Sequence, residues 1–192
     1  MSNESTLPKV FIPNSDFVWI SCDILSEDYN TSGGATEGTV KKVSVEGTDP
    51  GYLDANVNEK YLEVEVDYEN LVLQNTDIPT SGVEDMVSLN FLHEASILDN
   101  LRRRYQSNLP YTYVGNIICA INPYKWKRAL YTEQEQEAYG QRLRHELSPH
   151  VYATSASAHR GLQFYGKEQS ILVSGESGAG KTETVKILMK HL

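Results

Sequence analysis

Residues 175–182 read Gly-Glu-Ser-Gly-Ala-Gly-Lys-Thr, which matches in full the pattern G-x-x-x-x-G-K-[ST] of a phosphate-binding loop. The short apolar run at residues 171–173 precedes this loop and predicts a buried strand. A helix beginning near Gly180 is predicted because four apolar residues then share helical spacing: Val185, Leu188, Met189 and Leu192. In an arrangement of strand, glycine loop and helix, backbone N–H groups at the helix start surround a polyphosphate.

The residue types in this loop have chemical reasons. Its glycines adopt backbone angles closed to other residues and let the chain approach phosphate oxygens. We expect Lys181 to place its ammonium group against the β- and γ-phosphates, and Thr182 to offer its hydroxyl to Mg²⁺. Both are predicted catalytic residues, and Thr182 is the predicted metal ligand. The predicted nucleotide-binding residues are Gly175, Glu176, Ser177, Gly178, Ala179, Gly180, Lys181 and Thr182. The alternative, a glycine-rich turn without a ligand, does not account for the fit of both flanks.

Several protein classes are disfavoured by composition. No apolar stretch approaches the roughly 20 residues of a membrane span. The first six residues, Met-Ser-Asn-Glu-Ser-Thr, lack the basic start and apolar segment of a secretory signal. We therefore expect a cytoplasmic protein without a membrane span, in which Cys22 and Cys119 are reduced thiols.

Charge is distributed unevenly along the chain. Residues 1–90 hold 4 Lys and Arg against 17 Asp and Glu, whereas residues 91–192 hold 13 against 9. This shift indicates two units with different surfaces. The acidic half argues against nucleic-acid binding because it would repel a phosphate backbone. We interpret the acidity as a surface that keeps a module soluble.

The first half has a β-like pattern after a polar stretch, residues 1–15, that we expect to be a flexible leader. Four strand candidates follow: Phe17–Ser21, Gly38–Val45, Tyr61–Asp67 and Leu71–Leu73. Short strands of this kind, one of them alternating apolar and acidic residues, predict a small antiparallel barrel over residues 16–74. Residues 75–85 are predicted to be a polar linker that ends this module.

Beyond residue 86 the apolar period becomes helical. One predicted helical face consists of Leu92, Ala95, Leu98, Leu101 and Tyr105. Arg102, Arg103 and Arg104 end this helix, where its dipole favours cations. A contact with phosphate or with an acidic partner is the alternative explanation of the arginine run.

Further elements are predicted between that helix and the phosphate-binding loop. Residues 112–121 are apolar enough for one or two buried strands, with Gly115 as a bulge or turn. Residues 133–144 predict a polar surface helix. Residues 151–165 predict a second helix, with buried Val151, Ser155, Ala158, Leu162 and Tyr165 on one face. Gly166 is placed to cap it.

Together, five sequence blocks resemble the myosin motor head, in the same order along the chain. They lie at residues 91–105, 111–115, 121–125, 148–153 and 175–183. The resemblance covers residues 86–192, and the β-rich module before it resembles the SH3-like subdomain that many myosins carry ahead of the motor. Kinesins have a different amino-acid sequence in the phosphate-binding loop, and small GTPases lack the upstream blocks. An unrelated P-loop NTPase would require those blocks to be coincidence.

This resemblance implies a fold and a function. The fold is an α/β P-loop NTPase fragment, a mixed sheet with flanking helices, preceded by a small SH3-like β-barrel. The full-length protein would be an actin-activated ATPase that uses ATP and Mg²⁺, with actin filaments and light chains as partners in the cytoskeleton. The resemblance also assigns Asn122, Pro123, Lys125 and Tyr131 to the loop that lines the adenine.

The adenine loop departs from the family pattern. Myosin heads usually place Leu/Ile-Pro-Ile/Val-Tyr after Asn-Pro-Tyr-Lys-x, whereas residues 127–131 here read Lys-Arg-Ala-Leu-Tyr. This segment lacks the proline and is one residue longer, which implies a wider or differently ordered base pocket and a divergent, unconventional member. We expect ATP to be preferred over GTP.

In myosins the two switch loops that complete the catalytic site follow the helix after the phosphate-binding loop. The 192 residues contain no counterpart of these loops, so we expect this chain alone to lack motor activity. The alternative function is a short, non-motor nucleotide-binding or interaction module that retains the phosphate-binding loop.

Overall fold

The computed structural model describes residues 9–14, 18–29, 38–46, 61–67 and 70–192. The chain divides into two compact units. The first comprises residues 1–77 with 93–96, and the second comprises residues 78–92 and 97–192.

The first unit contains a five-stranded antiparallel sheet with the order β4-β3-β2-β1-β5. Its strands are β1 (Lys9–Asn14), β2 (Val18–Tyr29), β3 (Gly38–Glu46), β4 (Tyr61–Asp67) and β5 (Val72–Leu73). Strands were predicted at all of these places except β1, although β2 is longer than expected and Phe17 lies outside the described residues. Among the described strands, no pairing of β4 with β5 closes a barrel.

Strand β1 lies within the stretch that was expected to be a flexible leader. Its Val10 and Ile12 are buried and face Cys22 and Ile20 of β2 in the antiparallel register. This part of the expected leader is therefore a core strand, because its apolar side chains gain burial when it pairs with β2. Burial, aided by the charge of Asp23, raises the pKa of the Cys22 thiol to about 12. Cys22 therefore remains a protonated core side chain.

The second unit is built from helices around a β-hairpin. The hairpin consists of β6 (Tyr111–Val114) and β7 (Ile117–Ala120), and the helices are α1 (Glu94–Gln106), α2 (Glu133–Gln141), α3 (Val151–Tyr165) and α4 (Lys181–His191). Gly115 takes a φ of 56° in the hairpin turn, which confirms the predicted turn. Gly166, with a φ of 59°, caps α3 as predicted. Among the described residues, no helix has the length and apolar character needed to cross a membrane.

The strand predicted at residues 171–173 is not formed. The segment from Gly166 to Glu176 contains neither helix nor strand, and Leu172 is 92% exposed. A strand requires a hydrogen-bonded neighbour, and among the described residues no strand pairs with this segment. An apolar run indicates a tendency to form a strand, but the strand forms only when a neighbouring strand is present to pair with it.

The predicted apolar face of α1 is also wrong in part. Leu98 and Tyr105 are 42% and 44% exposed, whereas Asn100 and Arg104 are 0% and 3% exposed. Asn100 is buried because its side chain accepts from the N–H of Val83 at 2.7 Å and donates to the Val83 carbonyl at 3.2 Å. Hydrogen bonding thus makes a polar face the buried one, which apolar periodicity does not show.

Helices α3 and α4 bury only part of their predicted faces. Val151 and Ser155 of α3 and Leu188 of α4 are buried. The remaining large apolar members are exposed: Leu162, Tyr165, Val185, Met189 and Leu192. The predicted face of α3 therefore contributes to the core near its N-terminus, and that of α4 contributes through Leu188.

We predict that Gly82→Ala destabilises the second unit by about 2 kcal/mol, since alanine is strained at a positive φ and overpacks a buried site. Gly82 has a φ of 77°, and a Cβ built there lies 2.5 Å from the Asn100 side-chain oxygen. The measurement is urea unfolding. Gly140→Ala is the matched control, because Gly140 is helical and a Cβ there meets nothing within 4 Å. Equal stability of G82A and wild type would contradict the expectation.

Candidate nucleotide-binding site

The phosphate-binding loop leads directly into α4, as its sequence predicts. Gly178 and Gly180 have φ values of 81° and 97°, in the left-handed region that favours glycine. Gly180 is the N-cap residue of α4, and its carbonyl accepts from the N–H of Thr184 at 2.9 Å. The exposed loop therefore ends at a helix N-terminus, where unpaired N–H groups favour an anion.

The side chain of Lys181 folds over this loop. Its ammonium group donates to the carbonyls of Gly175 and Glu176, at 2.7 and 2.8 Å. Thr182 is exposed in the first turn of α4. The cation and the hydroxyl predicted to act on phosphates and Mg²⁺ thus follow each other at one end of the loop.

The predicted adenine loop follows β7 and contacts the phosphate-binding loop. The Asn122 side-chain oxygen accepts from the N–H of Tyr124 at 2.9 Å and fixes a tight turn. Tyr124 adopts a φ of 49° in this turn. The Asn122 amide group donates to the Gly178 carbonyl at 2.9 Å. The structure therefore brings together two segments that lie 56 residues apart in sequence.

Tyr131 lies at the end of a 3₁₀ turn, Arg128–Tyr131, formed by the segment that departs from the family pattern. Its ring stacks on Trp126 with centroids 5.1 Å apart, and its hydroxyl lies 2.9 Å from that of Tyr111. Burial, followed by the hydrogen bond to Tyr131, raises the pKa of Tyr111. Tyr111 and Tyr131 together form one wall of the cavity beside the adenine loop.

A cavity of about 280 Å³ lies between the two loops. Its lining includes the predicted residues Asn122, Pro123, Lys125, Tyr131, Ala179 and Gly180. Lys181 and Ala179 line a neighbouring cavity of about 300 Å³. Among the predicted residues, Gly175, Glu176, Ser177, Gly178 and Thr182 line neither cavity. The predicted adenine-loop residues and the predicted phosphate-binding residues therefore meet at Ala179, which lines both cavities.

The first cavity is also lined by residues that were not predicted, among them Tyr111, Trp126 and Glu183. Trp126 follows Lys125 in the sequence, so its position beside the predicted adenine loop could have been inferred from the sequence alone. Glu183 could be inferred from helical spacing, because a residue three positions after Gly180 lies on the same face. Tyr111 carried no such signal, since only strand pairing places it opposite Ala120.

Residues 83–192 match the family model described as Myosin head (motor domain). That match covers more than half of the chain. The chain belongs to the myosin family. It is 38% identical over 191 residues to Myosin-H heavy chain of Dictyostelium discoideum, covering 100% of this chain and 10% of that protein.

Relatives from Arabidopsis thaliana agree with this assignment to the myosins. Myosin-15 is 40% identical over 184 residues, covering 96% of this chain and 11% of its own length. Myosin-17 is 49% identical over 123 residues, covering 64% of this chain and 8% of its own length. This myosin chain thus spans about a tenth of the length of the curated relatives it matches.

Behind the base-side wall of this myosin chain lies a buried histidine, His150, which is 3% exposed. As the N-cap residue of α3, its Nδ1 accepts from the N–H of Tyr152 at 3.1 Å. The rings of Tyr111, Tyr139 and Tyr152 lie 4.8, 5.2 and 4.4 Å from its own. Burial, aided by the charge of His191, lowers the pKa of His150 to about 4. The imidazole is therefore neutral and carries its proton on Nε2.

We predict that His150 makes this myosin segment sensitive to acid. In the unfolded chain the His150 side chain binds a proton near pH 6.5, whereas in the folded chain it stays neutral until about pH 4. The free energy of unfolding is therefore highest above pH 6.5. It decreases as the pH falls, by about 2 kcal/mol at pH 5, because His150 takes up a proton more readily in the unfolded chain. Urea unfolding of wild type and His150→Asn at pH 7.5 and 5 measures the effect.

The His150→Asn variant is the control for this prediction because asparagine retains an N-cap acceptor. Other groups that titrate between pH 7.5 and 5 contribute equally to both proteins. The difference in unfolding free energy between the two should therefore shrink towards pH 5. A pH dependence identical in both proteins would show that His150 does not cause it.

Proposed function

We propose that this chain binds MgATP as part of the catalytic head of a myosin motor. The observation that carries the proposal is the meeting of two loops at one cavity, where the Asn122 side chain contacts Gly178. One loop is rich in glycine and ends at the N-terminus of α4, whereas the other is aromatic. A polyphosphate suits the first environment and a purine suits the second.

In this proposal the loop residues 175–182 bind the triphosphate. Lys181 neutralises charge on the β- and γ-phosphates, and Thr182 is the protein ligand of Mg²⁺. The Lys181 ammonium group already lies over the loop, within hydrogen-bond distance of two carbonyls. The bound metal would supply charge stabilisation during phosphoryl transfer, and the chain's own contribution is to position the phosphates.

The base-side contacts come from Asn122, Pro123, Lys125 and Tyr131, which we propose to line the adenine. All four line the cavity. The Trp126–Tyr131 stack presents an aromatic wall beside it, and such a surface packs favourably against a flat heteroaromatic ring. We propose ATP as the preferred nucleotide and GTP as the competitor to be tested.

Several broader proposals follow from membership of the myosin family. We propose that β1 and residues 16–74 together form an SH3-like module, that residues 75–85 link it onward, and that residues 86–192 belong to a P-loop NTPase head with a mixed sheet. In the longer protein, actin filaments and light chains would be partners, and the cytoskeleton its location. The alternative is a non-motor nucleotide-binding module.

Thermal unfolding of the full 192-residue chain with increasing MgATP tests the binding proposal. A ligand that binds only the folded state raises the melting temperature by mass action. We expect a saturable rise that requires Mg²⁺ and is larger for ATP than for GTP. No rise at millimolar MgATP would overturn the proposal.

A second experiment separates a motor from a binding module. A myosin heavy chain that contains this segment is mixed with actin filaments and sedimented with and without MgATP. Co-sedimentation that MgATP reverses is expected of a motor. Nucleotide binding without any actin binding would favour the non-motor alternative.

A further inference from the structure

We infer that Asn122 is a positioning residue that sets the orientation of the Gly178–Ala179 peptide in the phosphate-binding loop. This inference rests on the proposed function and gives Asn122, which lines the base-side cavity, a second role towards the phosphates. Its amide group donates to the Gly178 carbonyl at 2.9 Å. Among the described residues, this is the hydrogen bond that joins a side chain of the base-side loop to the phosphate-binding loop.

The orientation of this peptide decides which atom faces the loop interior. In a trans peptide the C=O and the following N–H point in opposite directions. With the Gly178 carbonyl held by Asn122, the N–H of Ala179 points across the loop to the Glu176 carbonyl, at 3.2 Å. In this orientation the hydrogen bond that the Ala179 N–H donates to the Glu176 carbonyl can be transferred to an anion, whereas a carbonyl oxygen in its place would repel phosphate.

The local sequence leaves this peptide free to rotate unless something holds it. Gly178 and Gly180 flank Ala179, and both have positive φ values, 81° and 97°. Glycine adopts positive and negative φ about equally readily, so backbone sterics alone do not fix the orientation of this peptide. Two hydrogen bonds hold it, one from Asn122 to the Gly178 carbonyl and one from the Ala179 N–H to the Glu176 carbonyl.

Asn122 is suited to this task because both ends of its side-chain amide are engaged. The oxygen accepts from the N–H of Tyr124 at 2.9 Å, which fixes the direction of the nitrogen towards Gly178. Serine at this position could still accept from the Tyr124 N–H, as in a serine turn. Its side chain has no donor long enough to reach Gly178. The Asn122→Ser variant therefore removes one contact and retains the other.

The experiment measures binding of MgATP and of inorganic tripolyphosphate with Mg²⁺ by calorimetry, using the full 192-residue chain. We expect Asn122→Ser to weaken both ligands by the same roughly threefold to tenfold, the contribution of one hydrogen bond. Asn90→Ser, at an exposed position, is the matched control and should leave both affinities unchanged. Amide exchange at Ala179 should become faster in Asn122→Ser alone.

The possible outcomes separate the inference from the proposed function. Weakening of MgATP with unchanged tripolyphosphate binding would place Asn122 on the base alone and overturn the inference. Wild-type protein that binds neither ligand would overturn the proposed function and this inference together. If Asn122→Ser lowers the melting temperature of the free protein, Asn122→Asp replaces it, since aspartate keeps the acceptor for Tyr124 and lacks the donor. Tripolyphosphate binding of Asn122→Asp that equals wild type would then overturn the inference.

Discussion

Replacing Lys181 with alanine should weaken MgATP binding to this chain by about a thousandfold, the effect of removing a charge-assisted contact to polyphosphate at close range. The ammonium group lies over the phosphate-binding loop, where it donates to the carbonyls of Gly175 and Glu176. Bound phosphates would take over these bonds, so the cation acts on the ligand. The measurement is calorimetric titration of MgATP into wild type and variant.

The fold should survive this substitution. Gly175 and Glu176 are exposed, so water can bond to the carbonyls that Lys181 leaves. Lys190→Ala is the matched control because Lys190 is an exposed lysine in the last turn of the same helix, α4. We expect wild-type affinity in that control. Wild-type affinity in Lys181→Ala itself would show that the proposed role of Lys181 is wrong.

The same variant has a consequence in the longer protein. If nucleotide binding drives release from actin, Lys181→Ala should remain on filaments when MgATP is added. Sedimentation with actin measures this directly. Release of the variant at the wild-type ATP concentration would exclude Lys181 from the nucleotide site of the motor.

The phosphate-binding loop and α4 could be predicted because a short motif specifies them locally. Glycines permit the positive φ angles that the loop needs, and helical spacing predicts the helix that follows. Gly115 and Gly166 were predictable for the same reason, since a turn or cap needs a left-handed residue at one place. Local chemistry therefore predicted the phosphate side of the candidate site.

Features that depend on a distant partner could not be predicted in this way. Residues 171–173 have the composition of a strand but have no paired neighbour among the described strands. The contact of Asn122 with Gly178 spans 56 positions, and no local pattern marks it. His150 is held neutral by the rings around it, which three separate elements supply. Such features become visible only when the packing is known.

Arg104 shows the largest difference between expectation and structure, and it gives the second prediction. The sequence places it in an arginine run at a helix end, which helix-dipole attraction would explain. Arg102 and Arg103 instead pair with Asp99, at 2.9 and 2.7 Å. Arg104 turns inward, is 3% exposed and bonds to β6.

We expect Arg104→Met to destabilise the second unit by about 3 kcal/mol, because two buried acceptors lose a charged hydrogen-bond donor. The guanidinium group donates to the Tyr111 carbonyl at 2.8 Å and to the Thr112 hydroxyl at 2.8 Å. Methionine fills similar space but leaves both acceptors buried without a donor. Urea unfolding measures the loss, which should shift the midpoint without changing the slope.

Arg103→Met is the control on the same helix, because Arg103 is 29% exposed and its partner Asp99 retains the ion pair with Arg102. We expect a loss of about 0.5 kcal/mol there. Equal losses in the two variants would mean that burial of Arg104 contributes nothing. Because Tyr111 both accepts from Arg104 and bonds to Tyr131, Arg104→Met should also weaken MgATP binding. The affinity for tripolyphosphate should fall less than the affinity for MgATP, because β6 contributes Tyr111 to the wall of the cavity beside the adenine loop.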